Sequence, residues 1–214
     1  MTLPKHISNN SQMIDIKLKS DIIIPFEKIG DSDWTDKTEL ILNELADNWG
    51  DELQDPISIE AILELEKSLK TTLPNSLKLF YQKFGIAEIG EQLQNFNEIG
   101  WIKDIWKDHP QYGPDFTEED KKHLPFLISF SDYLGNGNMF CFHSETKEIY
   151  YYDHDTQPYL TKLFDDASDY IKGCLISCQS DFFNQEIGEE KVEEWCEEIL
   201  DEMFGTDIVK KWKY

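Results

Sequence analysis

Asp153-His154-Asp155, with Asp132 on the loop before a candidate central strand, is the group of residues in this chain best suited to chemistry. Carboxylate oxygens and an imidazole are ligands for a divalent metal, and a His-carboxylate pair can act as a general base. Such a metal site calls for a second spaced ligand set such as H-E-x-x-H, and the sequence has none. The plainer accounts are a polar strand end facing water and a share in a partner-binding surface, whose rim is polar and charged. Tyr150, Tyr151, Tyr152 and Tyr159 surround the cluster, and tyrosine is enriched at binding hot spots. Strand alternation puts Tyr150 and Tyr152 on one face and Tyr151 on the other, so at least one ring belongs to the core and the remainder are candidate anchors. The candidate partner-binding residues are therefore Asp132, Tyr150, Tyr152, Asp153, His154, Asp155 and Tyr159, with no catalytic residue, metal or cofactor assigned.

Cys174 and Cys178 stand one helical turn apart. That spacing suits one apolar helix face, where cysteine behaves as a small hydrophobe, better than a metal site lacking a second ligand pair. Cys141, inside an apolar strand, reads as buried too. The stretch from Glu186 to Glu202 holds nine carboxylates and one lysine. It either mimics a phosphate backbone or forms the solvated side of a helix docked by Val192, Trp195, Cys196, Ile199, Leu200 and Met203. No phosphate loop, Ser-His-Asp order or dinucleotide fingerprint occurs in the required context.

The elements that must position these residues are readable from periodicity. Ile14 to Lys19 alternates as a short half-buried strand, with Ile22 to Ile24 as a continuation limited by Pro25. Asp36 and Glu39 resemble a capping box for a helix carrying Leu42, Leu45 and Trp49 and stopping at Gly50, outside the main domain. Ser58 caps a second helix with Ile59, Ile62, Leu63 and Leu69 on its apolar side. Pro74 suits the first turn of a third, in which Leu77, Phe80, Tyr81 and Phe84 precede a stop at Gly85. Within residues 86–123, Trp101, Ile102, Ile105 and Trp106 have helical spacing, and His109-Pro110 through Pro114 reads as loop. Phe126 to Phe130, Met139 to His143 and Glu148 to Tyr152 are strands of an antiparallel meander, turned at Asn136-Gly137 and at Ser144 to Lys147. Asp165 or Asp166 caps a helix with Ala167, Tyr170, Ile171, Cys174, Leu175 and Cys178 on one face. The first twelve residues read as mobile.

Composition narrows the functions. The 214 residues carry 43 acidic against 20 basic side chains, a formal charge of -23. Such a field repels nucleic acid and anionic lipid and attracts a basic protein, although solubility alone also accounts for it. All 20 basic residues are lysine. Without arginine's planar fork a nucleotide or phosphoryl-transfer site is disfavoured, and a genome that avoids arginine codons gives the same composition. No apolar signal core or membrane-length run is present, and four cysteines without a C-x-x-C pair fit free thiols, so a cytoplasmic protein is expected.

Three stretches together resemble the SUKH superfamily, the Smi/Knr-type domains. The run Glu64 to Gly85, with Leu73-Pro74 at a helix start and Phe80-Tyr81 before Gly85, is similar to the family's opening helix pair. Gly135-Asn136-Gly137-Asn138-Met139-Phe140-Cys141-Phe142 is similar to its Gly-rich turn and central strand, and Ile149 to Asp155 to the strand that follows. The resemblance covers about 55–180 and implies an α+β fold, a mainly antiparallel central sheet with helices packed against it. Residues 1–54 and 181–214 are then N- and C-terminal helical extensions. It also implies an immunity-type protein that neutralises a cognate, basic, nuclease-like bacterial toxin by direct binding, not an enzyme. A regulatory scaffold related to fungal cell-wall-assembly regulators is the alternative, and a metal-dependent hydrolase built on Asp153, His154 and Asp155 the third. Neither nucleic acid nor membrane is expected as a partner.

Overall fold

A computed structural model describes residues 14–50, 53–90, 92–104, 116–132 and 137–213. In chain order the elements are α1 (Trp34–Trp49), α2 (Ile59–Leu69), α3 (Asn75–Phe84), β1 (Gln92–Leu93), β2 (Gly100–Trp101), α4 (Asp120–His123), β3 (Leu127–Asp132), β4 (Met139–His143), β5 (Ile149–Tyr152), β6 (Leu160–Phe164), α5 (Ala167–Ser177), α6 (Glu189–Phe204) and α7 (Thr206–Lys213). The fold is α+β. Ile105, Trp106, the His109 to Pro114 loop, Asn136 and the first twelve residues lie outside the described residues.

Local chemistry sets the helix ends as expected in three places. Ser58 Oγ accepts the backbone N–H of Ala61 at 3.2 Å, and an Asp166 carboxylate oxygen accepts that of Ser168 at 2.7 Å. Gly85 ends α3 at φ 66°, and a Cβ there would meet the Asp55 carbonyl oxygen at 2.3 Å, so both conformation and space demand glycine. Three expectations are corrected. Helix α1 begins at Trp34, after Asp33, which puts Asp36 inside its first turn rather than at the cap. The N-terminal strand is a single parallel bridge between Ile16 and Phe183, because the Asp21 carboxylate accepts from the N–H groups of Lys17 and Leu18 and folds the chain into a turn. On α2, Ile62, Leu65 and Leu69 face the core while Ile59 and Leu63 are exposed.

The sheet is antiparallel throughout, in the order β1-β3-β4-β5-β6, with β2 also paired to β3. Its alternating residues feed two apolar clusters. Ile128, Phe130, Phe140, Phe142, Ile149 and Tyr151 join the main core with helix residues such as Phe80, Tyr170 and Cys174. Leu127, Cys141, Tyr150, Tyr152 and Leu160 form a second cluster with Ile102, packed by Phe116, Leu124, Met139 and Tyr159. All four residues of β5 are buried, because both faces of the sheet are covered. The main core runs from Ile16 through α1 to Cys196 of α6 and Trp212 of α7, so the helices outside 55–180 share it. All four cysteines are buried free thiols.

Candidate functional site

Strand β5 delivers the acidic cluster to one end of the sheet, where residues 153–159 connect it to β6. Asp153 organises that loop. Its N–H donates to the Tyr159 carbonyl at 2.9 Å, and its Oδ1 accepts the N–H groups of Asp155 at 3.0 Å and Thr156 at 3.1 Å. Its Oδ2 accepts Lys211 Nζ from α7 at 2.6 Å. Burial pushes the Asp153 carboxyl up, but the Lys211 ammonium and the two backbone N–H groups outweigh it and hold it below the usual value. The carboxylate is thus turned inward, structural in its contacts.

His154 is fixed by Asn138. Asn138 Oδ1 accepts both the His154 N–H at 3.0 Å and its Nδ1 at 2.7 Å, which places a proton on Nδ1, since an amide oxygen cannot donate. The amide is oriented in turn by Nδ2 donating to the Tyr151 hydroxyl at 2.9 Å. Gly137, at φ 94°, lies against the imidazole, with the ring 3.5 Å from where a Cβ would stand. Nε2 sits 3.3 Å from Asp155 Oδ1, an ion pair when the ring is protonated. The Asp155 side chain is 77% exposed, the most open of the cluster.

The structure brings Asp153, His154, Asp155 and Tyr159 together on one loop. Tyr152 lies beneath it, fully buried, and burial pushes its hydroxyl pKa well up. Tyr150 is buried toward the other end of the strand, its hydroxyl 3.3 Å from His123 Nδ1. Asp132, half-buried at the end of β3, pairs in register with Met139, which pairs with Tyr152, so it shares the loop's end of the sheet. Among the described residues, no group of three or more His, Cys, Asp or Glu side chains is arranged to hold a metal ion, and no helix is long and apolar enough to cross a membrane.

Two residues that shape the site carried no sequence signal. Lys211 is 58 positions from Asp153, and Asn138 lay in a stretch read only for its turn and strand. Asp120 is a third: buried, it accepts Leu160 N–H at 3.0 Å and the N–H and hydroxyl of Thr117, bolting α4 to the start of β6.

The comparison with protein-family models agrees with this architecture. A comparison with curated proteins finds no match. Residues 56–173, from α2 into α5 and including the whole sheet and the 153–159 loop, match the model of the SMI1 / KNR4 family (SUKH-1). With more than half of its 214 residues matched, and with the helix pair and meander in the order the resemblance implied, this chain belongs to the SMI1 / KNR4 family (SUKH-1).

Proposed function

We propose that the chain is an immunity-type binding protein that neutralises a basic, nuclease-like toxin by occupying it, using the sheet end that carries His154, Asp155 and Tyr159. The observation that carries this reading is the formal charge of -23 on a member of this family. A nuclease presents a basic groove to its substrate, and an acidic protein of complementary potential fills it. Asp155 and His154 offer polar atoms at the surface, while Asp153, Tyr151 and Asn138 hold the loop in one shape, which lowers the ordering cost of binding. Asp132 adds charge at the same end, and the buried Tyr152 acts as the floor beneath, while Tyr150 packs farther along the strand.

The test is surface plasmon resonance against the partner co-purified from the native host and identified by mass spectrometry. Association is expected to approach about 10⁸ M⁻¹s⁻¹ at low salt and to fall steeply with added salt, against about 10⁵–10⁶ M⁻¹s⁻¹ for an unsteered pair. Asp155→Lys should weaken binding more than Glu145→Lys, the same charge change on the turn at the opposite end of the sheet. A salt-independent association rate, or an equal loss from Glu145→Lys, rejects the reading. A partner belonging to cell-wall assembly would favour the regulatory alternative instead.

A further inference from the structure

The end of the sheet that bears the 153–159 loop also bears an apolar groove. Gln92, Asp132, Met139 and Tyr152 stand in register across four strands. At roughly 4.8 Å per strand, β1 lies about 15 Å from β5. Beside β1, against the C-terminal half of α1, is a groove of about 400 Å³. Leu42, Leu45, Trp49, Leu53, Ile86 and Leu93 form its floor and walls, and Trp49 and Leu53 are among the exposed large apolar side chains. Among the described lining residues Glu88 is the one charged side chain, and it is exposed. The Trp49 indole N–H donates to Asp181 Oδ2 at 2.9 Å, which fixes the ring.

We propose that this groove receives a lysine or arginine side chain of the basic protein partner. The inference rests on the reading above and adds a second anchor to it. A long cationic side chain lays its aliphatic stem on apolar surface while its head reaches a carboxylate, and an aromatic face attracts the same charge. A groove with apolar walls, an indole and the Glu88 carboxylate at its rim matches both ends of that side chain, and its described lining residues include no cation for an acidic one. The volume falls within the range of sites that bury small ligands, about 300–1,000 Å³. A standard interface covers about 800 Å² on each partner, roughly 30 Å across, so one partner spans both the loop and the groove. Leu42, Leu45, Trp49 and Leu53 precede the family-matched residues 56–173, so this wall lies outside the matched domain.

The capped peptide acetyl-Arg-Leu-Arg-Leu-Arg-amide, titrated into the full ¹⁵N-labelled chain and followed by amide shifts, reads the groove without needing the partner. Shifts concentrated at residues 42–53 and 86–95 are expected, with affinity reduced about tenfold by Glu88→Lys, the loss of one charge-assisted contact. Glu145→Lys, an equal charge change far from the groove, should alter affinity less than about twofold, and the peptide with glutamate in place of arginine should not bind. Thermal unfolding of both variants checks that each remains folded. Shifts spread over the 153–159 loop and other acidic faces, with equal losses from both variants, overturn the groove and leave attraction of a basic partner standing. Absence of any shift at low salt overturns the groove and counts against the basic-partner reading as well.

Discussion

Lys211 of α7 places its ammonium 2.6 Å from Asp153 Oδ2, so the last helix is tied directly to the loop that carries the candidate binding residues. The pair is mostly shielded, with side-chain exposures of 22% and 13%. It lies between the exposed ion pair, worth little, and the buried one, whose breakage leaves a stranded charge.

Lys211→Met is therefore expected to destabilise the chain by about 1–3 kcal/mol at pH 7, between those two regimes. The Asp153 carboxyl is depressed in the folded state, so its contribution is present above its ordinary pKa and is lost as pH falls through the depressed value. Urea unfolding of both proteins at neutral pH and below about pH 4 checks this. The gap between them should close in acid, and a gap that is unchanged or widens there contradicts the assignment.

Gly173 sits mid-helix, where replacement by alanine ordinarily gains about 1 kcal/mol. Here a Cβ would stand 2.4 Å from Trp212 Cη2 and 2.6 Å from Cζ3. Overpacking of that kind costs about 1–3 kcal/mol, so Gly173→Ala should be neutral to destabilising. In a Trp212→Ala background, itself weakened by about 3–5 kcal/mol, the same change should become stabilising. Strict additivity in the double-mutant cycle would refute direct contact as the cause.

His143 Nδ1 accepts the backbone N–H groups of Glu145 and Thr146 at 3.3 and 3.2 Å, which requires the neutral ring. Burial first, then the neighbouring His123 and, more weakly, Lys147 push its pKa down, against the opposing pull of Glu145 and Glu148. A base depressed on folding contributes stability that is complete above its unfolded pKa, about 6.5, and lost as pH falls toward the folded value. An NMR titration of the imidazole should give a pKa below that of a free histidine, and the melting temperature should begin to drop below about pH 6.5. A normal or raised pKa would show that the turn does not hold the ring neutral.

The four buried thiols should react slowly with an aromatic disulfide reagent in native buffer and rapidly on unfolding. Burial holds the Cys141 and Cys178 thiols well above their usual pKa, which suppresses the reactive thiolate further. Four thiols labelled at the unfolded rate in native buffer would mean that the chain opens far more readily than its packing implies.

The sequence alone determined those features that depend on neighbours within a turn or two. Ser58, Pro74 and Gly85 mark helix ends by their own side-chain and backbone chemistry, and the apolar, aromatic-rich runs Met139 to His143 and Glu148 to Tyr152, bounded by turn residues, mark two strands of the meander. The grouping of Asp153, His154 and Asp155 is equally local. Tertiary structure decided which faces are covered. Tyr150 and Tyr152 are both buried because Phe116, Leu124 and Tyr159 cover the second side of the sheet, which alternation cannot report. Ile59 and Leu63 remain exposed on α2 although their spacing suits a core stripe, since a helix period does not say which stripe finds a partner. Strand β6 and helix α7 went unread because Leu160 to Phe164 lacks clean alternation and Thr206 to Lys213 is short. Asp153's inward turn to Lys211 and the fit of Trp212 onto Gly173 were likewise decided in three dimensions, since contacts between residues tens of positions apart leave no trace in local periodicity.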